Sequence, residues 1–184
     1  HAAYGESAPD AAGYEACIAG RDGLTGLSAE RIRMEMLKLM IAKGAAEALV
    51  AMDDAGLLLR LTAGVVYHGA FANMLAAEHA LGIDPDAIRR LGALAVAVTE
   101  DAKRLSLRWR LSNVEAKRLD SMGHRWWRMF GMDEVIAQRR LYRLGAPRYR
   151  DRMMLAWARS GRDFDAPQWR DLTMLPERWT APAF

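Results

Sequence analysis

Apolar residues recur three and four positions apart along most of this chain. No stretch alternates with the period of two that a half-buried strand requires. Glycine, proline or a small polar residue ends each periodic run. The pattern predicts helices over residues 9–19, 28–44, 45–54, 65–81, 85–98, 100–109, 133–144 and 147–160, with another starting after Ser112. "AGLLLRL" reads as a short apolar connector. Beyond Gly161, Pro167, Pro176 and Pro182 break up any regular pattern. The expected architecture is all-α, a compact array of about eight to nine short helices. Residues 1–82 and 83–184 form two helical regions or one continuous unit. No linker composition marks a boundary at Gly82–Pro85 or near Arg110.

Local signals set several helix starts. Ser28 is placed as an N-cap, with Glu30 in the positively polarised first turn and Leu27 and Ile32 at hydrophobic-staple spacing. Asp84 is expected to cap the helix over 85–98, with Pro85 at its first position. Ser112 and Glu115 make a capping box. After it, Ala116, Leu119, Met122, Trp126 and Met129 form an apolar stripe, with Arg118, Ser121, Arg125 and Arg128 as a second stripe beside it.

The helix starting at Ser28 carries an unusual face. Arg31, Glu35 and Lys38 stack at i, i+4 and i+7. Ile32, Met36, Leu39 and Met40 lie on one side of that strip, and Met34, Leu37 and Ile41 on the other. An ordinary surface helix has one apolar stripe and a wide polar face. A charged strip between two apolar flanks calls for a polar partner above it, or for simple surface pairing along the helix.

Charge changes the picture further. The net +3 hides a split: residues 1–100 hold 8 Lys+Arg against 13 Asp+Glu, and residues 101–184 hold 18 against 10. The basic half suggests a polyanionic partner; a solvated arginine-rich surface is the alternative. Cys17 is the single cysteine, so no intramolecular disulfide forms, which fits a reducing compartment. The first residues do not read as a secretory signal. Apolar runs such as "LGALAVAVT" fall short of the roughly 20 residues of a membrane span. A soluble, cytoplasmic protein is expected. The chain starts at His1, its first methionine is Met34, and it ends in "TAPAF", so it is expected to be a piece of a longer protein.

Candidate chemistry is sparse. There is no glycine-rich phosphate loop, G-x-S-x-G, H-E-x-x-H or C-x-x-C. His68 and His79 could set two metal ligands near one helical face, but such a pair is more often ordinary surface or core histidine. The pairs Asp84/Asp86 and Asp163/Asp165 resemble Mg²⁺ ligands. Capping explains the first, and no strand precedes the second. Cys17 is read as a small buried residue rather than a nucleophile. Trp126 belongs to the core stripe, whereas Trp127 lies off it and is the candidate for stacking on a base.

"LSAERIRMEMLKLM" resembles the S-x-E-R-I-x-x-E-x-x-K-[LM] motif of class II bacterial tRNA nucleotidyltransferases and poly(A) polymerases, through Ser28, Glu30, Arg31, Ile32, Glu35, Lys38 and Leu39. The stretch before it looks like the piece that follows these enzymes' "EDPLR…LRFFRF" helix. "LRWRLSNVEAKRL" and "LYRLGAPRYRDRMMLAWA" are similar to later helices of the alphaproteobacterial branch. The resemblance implies a neck, body and part of a tail. The catalytic head, whose G-S…D-x-D carboxylates hold Mg²⁺ for transfer of CMP or AMP from CTP or ATP to an RNA 3′ end, has no counterpart here. It implies no cofactor in this chain and no activity of its own. It also implies that Ser28, Glu30, Arg31, Glu35 and Lys38 make a neck network positioning the nucleotide-binding helix. Arg104, Arg108, Arg110, Lys117, Arg118, Arg125 and Arg128 would line a groove for the backbone of a tRNA or another RNA. The alternative is an independent helical protein-interaction module.

Overall fold

The computed structural model describes residues 11–161 and 166–181, so Pro9, Pro182 and the Asp163/Asp165 pair lie outside the described residues. Among the described residues there are twelve α-helices and no strand, so the all-α expectation holds. They are α1 (Ala11–Ala19), α2 (Ala29–Met40), α3 (Ala45–Asp54), α4 (Leu57–Thr62), α5 (His68–Leu81), α6 (Ala87–Ala95), α7 (Thr99–Arg108), α8 (Asn113–Gly123), α9 (Glu134–Leu144), α10 (Ala146–Ser160), α11 (Pro167–Thr173) and α12 (Leu175–Arg178), with 3₁₀ turns at Arg21–Gly26 and Trp126–Met129. None is long and apolar enough to cross a membrane.

Two local features raise the helix count above expectation, and a third shortens an expected helix. The apolar connector is itself a helix, α4, whose Leu58 and Leu61 are buried. Two short helices, each with a proline in its first turn, follow residue 166. The run after Ser112 does not continue to Met129. It stops at Gly123, Arg125 takes a left-handed conformation (φ 53°), and a 3₁₀ turn follows. At Gly123 the helix lies so close to the chain before α7 that a Cβ there would stand 2.6 Å from the Val98 carbonyl oxygen, so only glycine fits. The expected stripe still packs inward, because Met122 and Met129 are buried and Trp126 is half-buried against the same core.

Several caps sit where the sequence places them. Ser28 accepts from the Arg31 amide at 3.3 Å, whereas Asp133, read as the first residue of its helix, caps it by accepting from Ile136 at 2.8 Å. Ser112 and Glu115 close a reciprocal capping box. The Asp84 cap is corrected. Asp84 is exposed, and Asp86 caps α6 by accepting from the Arg89 amide at 2.9 Å. Helix α5 begins at His68 rather than Val65. Cys17 is exposed, against the expectation of burial.

Helix α10 is the centre of the array and packs against α5, α6, α8, α9, α11 and the second 3₁₀ turn, while α2 lies on α6 and α7 on α8. Two apolar clusters form the core. One, built on α10, includes Tyr149, Met153 and Trp157; the other includes Met40, Leu49, Leu105 and Trp109. Helices α5, α6 and α8 contribute to both, through Met74 and Phe71, Ala93 and Leu91, and Met122 and Leu119 respectively. Neither cluster ends at residue 82.

Between the clusters lies a buried ionic hub. Glu78 (2% exposed) accepts from Arg89 at 2.9 Å and Arg90 at 2.6 Å. Asp151, fully buried, accepts from Arg89 at 3.3 Å and from two nitrogens of Arg118 at 2.8 and 2.9 Å. Arg118 also reaches Asp86 at 3.0 Å, and Arg90 donates to the Met40 carbonyl at 2.8 Å. Three carboxylates meet three guanidiniums, so the hub is neutral and nearly every ion has a hydrogen-bonded partner, as burial demands. It joins α5, α6, α8 and α10 to the end of α2.

Burial alone would raise Asp86, but hydrogen bonds from Arg118 and the Arg89 amide outweigh it and hold the carboxyl below the usual range. Asp101 and Glu115 are depressed in the same way. Burial opposes, and the Ala97 and Val98 amides with Arg104 win at the first, Arg33 and Ser112 at the second. A carboxyl with a lowered folded-state pKa holds its proton less readily folded than unfolded. Its contribution is therefore whole above the unfolded value of about 4 and is lost as pH falls through the folded value. Thermal melts at pH 7 and near pH 3 should accordingly show a marked loss of stability at the acid end. An unchanged midpoint would mean these bonds contribute little.

Candidate nucleic-acid interface

Helix α2 presents two charged faces. One faces the α7–α8 corner: Glu30 binds Arg110 at 2.6 Å, and Arg33 binds Glu115 at 2.7 Å, linking α2 to the turn after α7 and the first turn of α8. The other is the strip of Arg31, Glu35 and Lys38. All three are exposed, and none makes a side-chain hydrogen bond or ion pair among the described residues. The apolar flanks divide unequally. Met36 and Met40 are buried, whereas Met34 (59%) and Ile41 (49%) are exposed beside the strip. The polar partner that this face calls for is not supplied by the described part of the chain.

The seven cations expected to line one groove fall into separate places. Arg104 donates to the Thr62 carbonyl at 3.2 Å and pairs with Asp101 at 2.8 Å; Arg108 donates to the carbonyls of Leu61 (2.9 Å) and Arg60. With the Trp109 indole on Leu61 at 2.9 Å, they satisfy the carbonyls that α4 leaves open at its end, where a helix favours cations. Arg110 holds Glu30. Arg118 is locked into the hub. Lys117, Arg125 and Arg128 are exposed.

A different basic group emerges around the second 3₁₀ turn. Arg128 stands close enough to Arg140 that, after burial itself, it is the main influence lowering the Arg140 pKa. Arg152 is lowered likewise by burial and then by Arg140 and Arg148, with only Asp120 opposing. Arg140 has a thioether, Met129 Sδ at 3.4 Å, as its hydrogen-bond acceptor, a weak partner for a guanidinium. Like charges crowded with so little compensation favour an anion nearby. Trp127, next to Arg128 in the chain, is 49% exposed and edge-on to Trp126 with ring centroids 5.8 Å apart. Trp126 itself is anchored by its indole on the Ala97 carbonyl at 3.0 Å, so the exposed ring rests on a fixed one.

Sequence reasoning missed Arg140, Arg148 and Arg152. The signal was present in the i, i+4 spacing of Arg148 and Arg152 on a helix whose other face is apolar. His68 pairs with Asp53 at 2.8 Å, while His79 is exposed, and no three His, Cys, Asp or Glu side chains gather as a metal site among the described residues.

Residues 14–63 match the family model described as "Probable RNA and SrmB- binding site of polymerase A". The matched segment holds α2, α3, α4 and most of α1. A comparison with curated proteins gives no match.

Proposed function

We propose that this chain is the RNA-binding helical part of a poly(A) polymerase or tRNA nucleotidyltransferase. The reading is carried by the match over residues 14–63, which contains the unpartnered charged strip of α2. Arg31, Glu35 and Lys38 there dock the nucleotide-binding part of a longer parent chain, with Ser28 and Glu30 fixing the start and tilt of the helix. Arginine offers a planar fork of donors suited to such a junction. Arg125, Arg128 and Arg140 hold RNA phosphates, and Trp127 stacks on an unpaired base. Contacts of this kind position an RNA rather than read its sequence.

Mg²⁺ and CTP or ATP belong to the parent's catalytic head in this reading. The buried carboxylates of this chain do not fit a metal, since Glu78, Asp86 and Asp151 already accept from guanidiniums. The chain alone therefore binds RNA without transferring nucleotides.

The test has two arms. A tRNA transcript lacking its CCA end should bind the 184-residue chain with an affinity that falls steeply and linearly on a log–log plot against salt. The parent chain, given labelled CTP or ATP and Mg²⁺, should extend the same transcript. Salt-independent or absent binding would sink the RNA role; lack of extension by the parent would sink the nucleotidyltransferase role.

A further inference from the structure

A large concavity lies away from α2 and outside residues 14–63. It is an open cleft of about 1300 Å³ between α7, α8 and the α9–α10 corner. Its composition is two-toned. Leu107 and Val114 project into it almost bare, 81% and 71% exposed, and Leu144 and Pro147 continue the apolar surface. Lys103, Lys117, Arg148 and Arg152 stand around them, with Asp120 the one carboxylate in the lining.

Several features decide what could fill it. The volume exceeds the roughly 300–1,000 Å³ of small-molecule pockets, and the cleft is open, so a macromolecular segment fits better than a metabolite. Leu107 and Val114 are the most exposed large apolar side chains described in the chain. Aliphatic side chains held bare in water favour burial against another apolar surface. Phosphates make no use of such a floor. Bases stack on aromatic rings, and the lining offers one imidazole, His124, and no phenyl, phenol or indole. An amphipathic helix meets both demands at once: apolar residues at i, i+3, i+4 and i+7 on the floor, acidic residues against the basic rim.

The backbone supports a rigid receptor. Leu107 lies in the last turn of α7 and Val114 in the first turn of α8, and Arg110, left-handed at φ 48°, shapes the tight turn between them. That turn is fixed from outside by the Arg110–Glu30 pair and by the Ser112 capping box. Arg152 is steadied by its hydrogen bond to Ser121 at 2.9 Å, and Arg148 by its bond to the Leu144 carbonyl at 2.7 Å. Two of the cleft's cations are thus held in place before binding, which lowers the ordering cost there.

We infer that the cleft between α7, α8 and α10 is a docking site for an acidic amphipathic helix of a partner protein, seated on Leu107 and Val114 and held by Lys103, Lys117, Arg148 and Arg152. The site shares no residue with the α2 strip, but Arg148 and Arg152 also stand in the basic group beside Arg140, so the RNA measurement below separates the two uses.

The experiment selects 14-residue peptides from a randomised display library against the immobilised chain and measures the winners in solution. The expected winners are rich in Glu and Asp with apolar residues at helical spacing. They should gain helicity on binding, and lose affinity about tenfold or more with the double variant Leu107→Glu, Val114→Glu or with Lys103→Glu, Lys117→Glu. All four side chains are at the surface or the cleft rim, and circular dichroism of each variant confirms that it folds. The tRNA transcript is measured alongside and should bind the Leu107→Glu, Val114→Glu variant with less than about half of that loss on a log scale. Selected peptides without acidic character, or ones indifferent to both double variants, would overturn the proposal. So would RNA binding abolished by the apolar variant, which would make the cleft an RNA site. Self-association of the free chain that the same variant abolishes would equally overturn it, by making a second copy the occupant.

Discussion

Asp151→Ala should lower the unfolding free energy by about 3–5 kcal/mol. Asp151 is fully buried on α10, and its two oxygens accept three hydrogen bonds, one from Arg89 and two from Arg118. Its removal leaves two cations facing each other, with Arg89 itself buried and unable to turn to water. The Coulomb attraction of a buried pair scarcely exceeds its desolvation cost, so the hub contributes modestly while whole. Breaking it is different, because the desolvation cost remains and the attraction is gone. Urea denaturation followed by circular dichroism would measure the loss. A change under about 1 kcal/mol would mean that water reaches the hub and screens it.

The second large effect separates arginines that the sequence places on one stripe. Arg118→Glu should unfold the chain or destabilise it by about 3–5 kcal/mol, since it sets a third carboxylate against Asp86 and Asp151. Arg125→Glu with Arg128→Glu should leave the unfolding midpoint close to wild type, because both side chains are exposed and neither takes part in an ion pair. The double variant should instead weaken tRNA binding by about tenfold or more and flatten its salt dependence by about two units of slope. Urea melts and salt-titrated binding on the same preparations separate the two outcomes. A stable Arg118→Glu protein would deny the hub its importance. Undiminished RNA affinity in the double variant would move the RNA away from the second 3₁₀ turn.

That contrast shows where sequence reading succeeds and where it stops. Ser28 and Ser112 were legible as caps because a cap involves residues three apart and nothing else. Asp86 was harder, because Asp84 has the same local chemistry. The choice follows from Arg118, 32 residues further on, and from the Asp86 amide on Glu78. The stripe of Arg118, Ser121, Arg125 and Arg128 assumed a continuous helix. Its apolar companion stripe concealed the break, since Met122 and Met129 reach one core from either side of it. The exposed strip of α2 was visible as an anomaly of pattern. The basic group around Arg140 was not, because it assembles from the second 3₁₀ turn, α9 and α10 only after folding. Likewise, the capping of α4 by Arg104 and Arg108 depends on carbonyls more than 40 residues away, so two structural arginines looked like ligands for phosphate.

The hub also carries a consequence for how the chain is made. Its charges arrive from the ribosome in the order Glu78, Asp86, Arg89, Arg90, Arg118, Asp151. Once Arg118 has emerged, the set holds one more cation than anions, and it stays so for the next 33 residues of synthesis. Any nascent chain that collapsed in that interval would bury an unmatched guanidinium between α6 and α8. Helix α10 brings both the missing charge, through Asp151, and the centre of the core. The buried charges balance only once it is in place, so a chain that ends before α10 should not pack α5, α6 and α8 as they stand here.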